Sequence, residues 1–122
     1  MDLMQVEDKA KLIKDKTKEA IALALEGQWE RAVSVNREIL RMAPEDVEAL
    51  NRLGKALMEL GRYREARDAY AEALRVDPMN TIAQKNLAKL TKLVEDEEAG
   101  TAVTLTTGPV DPRRRRSRDA AR

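Results

Sequence analysis

Cysteine, histidine and phenylalanine are absent from this chain, and its only aromatic residues are Trp29, Tyr63 and Tyr70. Without cysteine there is no disulfide framework and no thiol chemistry. Without histidine the commonest general base and the commonest metal ligand are both missing, and neither a metal nor a cofactor is implied. With aromatics at 2%, a bulky core is excluded. The interior must come from Leu, Ala, Ile and Val on helices that approach closely at small residues. Long apolar runs are also lacking. The longest, residues 20–25, is too short to cross a bilayer and lies in the wrong place for a signal peptide. No membrane association is expected, and a soluble, cytoplasmic protein is. The serine hydroxyls, Ser34 and Ser117, have no histidine to activate them, and Gly54-Lys55 lacks the preceding glycine of a phosphate loop. An enzyme is not expected.

Charge is plentiful, at 37% of residues, and unevenly spread. From Pro109 onward six Arg stand against two Asp, a net +4, while the rest of the chain holds 17 basic and 20 acidic residues, a net −3. Such a split marks a boundary between two regions of different character.

The strongest positive feature is a 34-residue period: Gly27, Trp29, Ala32, Leu40 and Pro44 recur as Gly61, Tyr63, Ala66, Leu74 and Pro78. Ala22, Leu23, Glu38 and Arg41 recur at the same offset as Ala56, Leu57, Glu72 and Arg75. A period of this length, carried by small residues, an aromatic and a proline, describes stacked helix–turn–helix units. Apolar spacing predicts a long first helix over about residues 2–26, with Leu3, Val6, Ala10, Ile13, Ala20, Ile21 and Ala24 on its apolar face and Gly27 as a left-handed cap. A second helix spans 29–42 and is closed by Pro44. Asp46 caps a third, through Leu60, and Gly61 stops it. A fourth runs from about Tyr63 to Val76. Asn80 caps a fifth, which continues to about Glu97 and is broken by Gly100. Residues 101–107, rich in Thr, would tolerate a strand but have no partner. Gly108, Pro109 and Pro112 favour extended chain, and residues 99–122 are expected to be a disordered basic tail.

These helix pairs resemble the tetratricopeptide repeat. The family's small pair in the first helix stands here as Leu53-Gly54, with Glu19-Ala20 and Leu87-Ala88 at the matching places. Its turn glycine, aromatic, alanine, second aromatic and final proline are Gly61, Tyr63, Ala66, Tyr70 and Pro78. In the first unit they are Gly27, Trp29, Ala32, Asn36 and Pro44, so the second aromatic is missing there. The resemblance implies an all-α, right-handed stack of antiparallel helix pairs, a short α-solenoid. Its repeats would span about 13–46 and 47–80, with a closing helix over about 80–98. Together with the extended first helix these form a domain over residues 1–98. Each unit leaves a face that only a neighbour can cover, and about three units are usual. Either the long first helix and the last helix cap a monomer, or the stack continues across a homodimer.

The resemblance also implies an adaptor or scaffold that holds a peptide or protein segment on the concave face lined by the first helix of each pair. The outward positions there are Lys14, Thr17, Lys18 and Ile21, then Asn51, Arg52, Lys55 and Met58, then Lys85, Asn86, Lys89 and Lys92. The surface is mostly basic and amide, with Glu48 and Glu59 as exceptions. Ammonium groups supply charge and amides supply directed hydrogen bonds, so an acidic peptide or a free carboxylate is the natural occupant. Family members that clamp a terminal carboxylate do so at places that hold Thr17, Ile21, Arg52, Ile82 and Asn86 here, so that clamp is not reproduced. Trp29, Tyr63 and Tyr70 are read as packing residues at helix junctions. The alternative function is nucleic-acid association through Arg113, Arg114, Arg115, Arg116 and Arg118, which would hold phosphates without regard to sequence. The repeats would then recruit or dimerise. No aromatic is interleaved with these arginines for base stacking.

Overall fold

The computed structural model describes residues 3–107, with side chains described for residues 7–99. Among them are five α-helices and no strand: α1 (Leu3–Leu25), α2 (Trp29–Met42), α3 (Val47–Glu59), α4 (Tyr63–Val76) and α5 (Thr81–Thr107). The chain divides into two compact units, Met1–Thr91 and Lys92–Arg122. The first holds α1 to α4 and the start of α5. The second holds the remainder of α5.

Within the first unit the sequence period is reproduced bond by bond. Gly27 and Gly61 take left-handed φ values of 72° and 77°, a conformation that costs glycine nothing because it has no Cβ. At the end of α1 the Gly27 N–H donates to Ala24 O and the Gln28 N–H to Leu23 O. At the end of α3 the Gly61 N–H donates to Met58 O and the Arg62 N–H to Leu57 O, all at 2.9–3.0 Å. These are paired helix-ending motifs that satisfy carbonyls the helix leaves open. The starts match as well. Asp46 Oδ1 accepts from the Ala49 N–H at 3.0 Å, and Asn80 Oδ1 accepts from the Ala83 N–H at 2.9 Å, each stabilising its helix by about 1 kcal/mol. At the position 34 residues before Asp46 stands Leu12, which offers no cap, and α1 runs on N-terminally to Leu3.

Consecutive helices pack on one another, α1 on α2, α2 on α3 and α3 on α4, and α1 also touches α3. Ala20, Leu23, Ala32, Val33, Val35, Ile39, Ala49, Leu50, Leu53, Ala56, Leu57, Ala66, Ala69, Tyr70, Ala73, Ala83 and Leu90 form the buried interior of this unit. Full burial of a Leu, Ile or Val contributes about 1.5–3 kcal/mol, while the alanines contribute less and let the helices close up. Gly54 is the tightest approach: a Cβ there would lie 2.5 Å from Tyr70 Cε2. Of the three aromatics, Tyr70 is buried, and Trp29 and Tyr63 are half-buried. In the second unit Val94 is buried.

α3 ends one residue before the expected Leu60. The larger difference is in α5, which passes Gly100 and continues to Thr107, where the sequence predicts a break and a disordered segment from residue 99. Glycine costs about 1 kcal/mol in a helix interior and threonine several tenths. Extension of a helix that has already formed adds one bond per residue fixed, so neither residue type need stop it. The arginines at 113–116 and 118, with the rest of residues 108–122, lie outside the described residues.

Candidate functional site

The 34-residue offset aligns the outward positions of α1, α3 and α5 into rows: Thr17, Asn51 and Lys85; Lys18, Arg52 and Asn86; Ile21, Lys55 and Lys89. On each helix these positions are three or four apart and so share a face. Lys14, Lys18, Ile21, Lys55, Lys85 and Lys89 are exposed, and Thr17 and Met58 are half-buried. Lys92 is exposed too, in the second compact unit.

The lysines differ in what surrounds them. Lys55 is held by Glu59 at 2.8 Å, one helical turn away. Lys14, Lys18, Lys85 and Lys89 make no ion pair among the described residues. They stand as two like-charged i,i+4 pairs, an arrangement that destabilises a helix by a few tenths of a kcal/mol. Folding does not require it.

Three predicted surface residues are placed differently. Asn51 is 8% exposed, and its Oδ1 is buried without a hydrogen-bond partner, a state that costs about 1–3 kcal/mol. Arg52 is half-buried, and its Nε donates to Asn36 Oδ1 of α2 at 3.0 Å while one Nη is buried and unpartnered. Burial lowers the Arg52 pKa, and the Asp46 and Glu48 carboxylates oppose that shift. The guanidinium stays charged, since its ordinary value lies so far above neutrality. Asn86 is half-buried, and burial pushes the Tyr70 hydroxyl up to about 12, with the Asn86 side chain opposing that shift. Sequence periodicity identifies the face of the helix, but not which of its polar side chains turn toward the neighbouring helix. For Arg52 the signal lies in its partner Asn36, 16 residues earlier.

The opposite chemistry is found in a depression of ≈ 320 Å³ lined by Arg37, Leu53, Leu57, Glu65, Asp68 and Ala69. None of the predicted surface residues lines it. Arg37 and Glu65 within it are ion-paired at 3.2 Å, so its charges are largely matched internally. Further ion pairs, Arg62–Glu30 at 3.1 Å and Arg75–Glu45 at 3.5 Å, link the two helix pairs at exposed positions, where solvent screens them.

Residues 47–80, which span α3 and α4, match the family model of the tetratricopeptide repeat. Over 94 residues the chain is 32% identical to the small glutamine-rich tetratricopeptide repeat-containing protein 2 of Mycosarcoma maydis, an alignment covering 75% of this chain and 27% of that protein. The chain thus spans little more than a quarter of the length of that curated relative.

Proposed function

Starting from a chain that is a tetratricopeptide-repeat protein, and so carries a protein-interaction module, we propose that it holds an acidic segment of another protein against the first helices of its repeats. The exposed ammonium groups of Lys14, Lys18, Lys85 and Lys89 attract the segment. Lys55 joins them when its Glu59 pair opens. Ile21 supplies an apolar contact. The observation that carries this reading is the like-charged pairing of Lys14 with Lys18 and of Lys85 with Lys89, exposed and without acidic partners among the described residues. Unpaired surface charge of one sign steers and selects a partner of the other sign.

Affinity capture tests it. The 122-residue chain is compared with a variant carrying Lys14→Glu, Lys18→Glu, Lys85→Glu and Lys89→Glu, with helicity checked by circular dichroism. Partners retained by the parent and lost by the folded variant support the surface. Partners that survive the reversal but vanish on removal of residues 109–122 would move the site to the arginine run.

A further inference from the structure

The depression between α2, α3 and α4 is left unused by the lysine surface. Its floor is apolar and buried, made by Leu53 and Leu57 of α3 and Ala69 of α4. Its rim is charged and exposed, made by Arg37 of α2 with Glu65 and Asp68 of α4. At ≈ 320 Å³ it stands near the lower end of ligand pockets, which run from about 300 to 1,000 Å³. That is room for a long side chain and part of a neighbour, and too little for a helix about 10–12 Å across. The repeat does not demand these residues. At the 34-residue offset Glu19, Arg31, Ser34 and Val35 stand where Leu53, Glu65, Asp68 and Ala69 do. A larger side chain than alanine is therefore compatible with the second helix of a pair at that position, and Ala69 leaves the depression open.

The rim holds two carboxylates against one guanidinium. Arg37 and Glu65 are paired at 3.2 Å, so Asp68 is the charge left over. Its side chain is 76% exposed, and its one ion-pair contact among the described residues is Arg67 Nε at 3.8 Å, too long for a hydrogen bond. A long cationic side chain matches both surfaces, because its hydrocarbon stem can lie on apolar ground while its head stays in water beside a carboxylate. We propose that the depression is a second docking site, which takes a segment of a partner protein presenting a lysine or arginine beside an apolar residue. The stem lies along Leu53 and Ala69, and the head reaches Asp68. The apolar neighbour covers what remains of the floor. None of the lysines of the first surface lines the depression, so the two sites are independent and prefer segments of opposite charge.

A backbone amide NMR titration of the 122-residue chain with a short peptide of alternating Leu and Arg tests this, with Gln in place of Arg as the neutral control. Shift changes should centre on Arg37, Leu53, Glu65, Asp68 and Ala69 and fade with the Gln peptide. Ala69→Leu fills the depression without altering its charge and should weaken binding about tenfold or more. Asp68→Asn keeps the shape and should weaken it about two- to fivefold, since an exposed charge is screened. It also carries the test if Ala69→Leu does not fold. Unchanged affinity in either folded variant, or shifts centred on Glu95 to Glu98 instead, would overturn the site. The occupant is tested without peptide. If Arg113→Gln, Arg114→Gln, Arg115→Gln, Arg116→Gln and Arg118→Gln together move the amides of the depression, the chain's own arginine run sits there, and the assignment to a partner's segment is overturned.

Discussion

Where α3 and α4 carry Gly54 and Tyr70, α1 and α2 carry Ala20 and Asn36, yet the two helix pairs close with the same turn bonds at the same offsets. The turns depend on backbone conformation and on one glycine, and they tolerate nothing else. The interiors depend on volume and on satisfied polar groups, and several combinations meet both needs. In the second pair a large ring sits over a missing Cβ. In the first, a smaller amide bonds its own helix and takes a guanidinium from the next. Repeats can therefore diverge inside while remaining identical in outline.

The contrast can be broken at its largest point by truncation. Tyr70→Ala removes a fully buried ring and should cost about 3–5 kcal/mol in denaturant unfolding. Asn36→Ala should cost less, about 1–3 kcal/mol, chiefly by removing the partner of Arg52 Nε. Equal losses would mean that the two interiors are not organised differently. Next in size, Gly54→Ala forces a Cβ against the Tyr70 ring and should destabilise by ~1–3 kcal/mol. This would occur although alanine is the better helix former. Adding Tyr70→Leu to that variant should recover part of the loss. The shared features predict matched effects: Asp46→Ala and Asn80→Ala should each cost about 1 kcal/mol, and calorimetry showing a clear difference between them would break the equivalence of the two helix starts. Smallest of all, Arg62→Ala, which removes the exposed pair with Glu30, should change stability by under about 1 kcal/mol.

Much of this fold is legible in the sequence because its punctuation is local. The limits of α2 and α4 follow from Trp29, Pro44, Tyr63 and Pro78, and the left-handed glycines and side-chain caps are identifiable from residue type alone. The end of α5 is not, because Gly100 and the threonines after it weaken a helix by amounts that continuation can absorb. On the proposed binding surface, spacing finds the exposed lysines but places Asn51, Arg52 and Asn86 outward as well. Asn51 is buried, Arg52 is tied to the neighbouring helix, and Asn86 is half-buried. A polar side chain at the edge of a helix face can serve either the solvent or the junction, and the choice depends on a residue 16 positions earlier in the chain. The depression beside Arg37 and Asp68 carries no sequence signal, since its lining comes from three helices whose relative placement is tertiary.

The most direct test of the binding surface is a backbone amide NMR titration of the chain with a short peptide of alternating Asp and Leu, repeated with Asn in place of Asp. The account predicts that shift changes concentrate on α1 around Lys14, Lys18 and Ile21, and on α5 around Lys85 and Lys89, and that they weaken sharply with the Asn peptide. Changes confined to Arg37, Leu53 and Asp68, or equal responses to the two peptides, would contradict it.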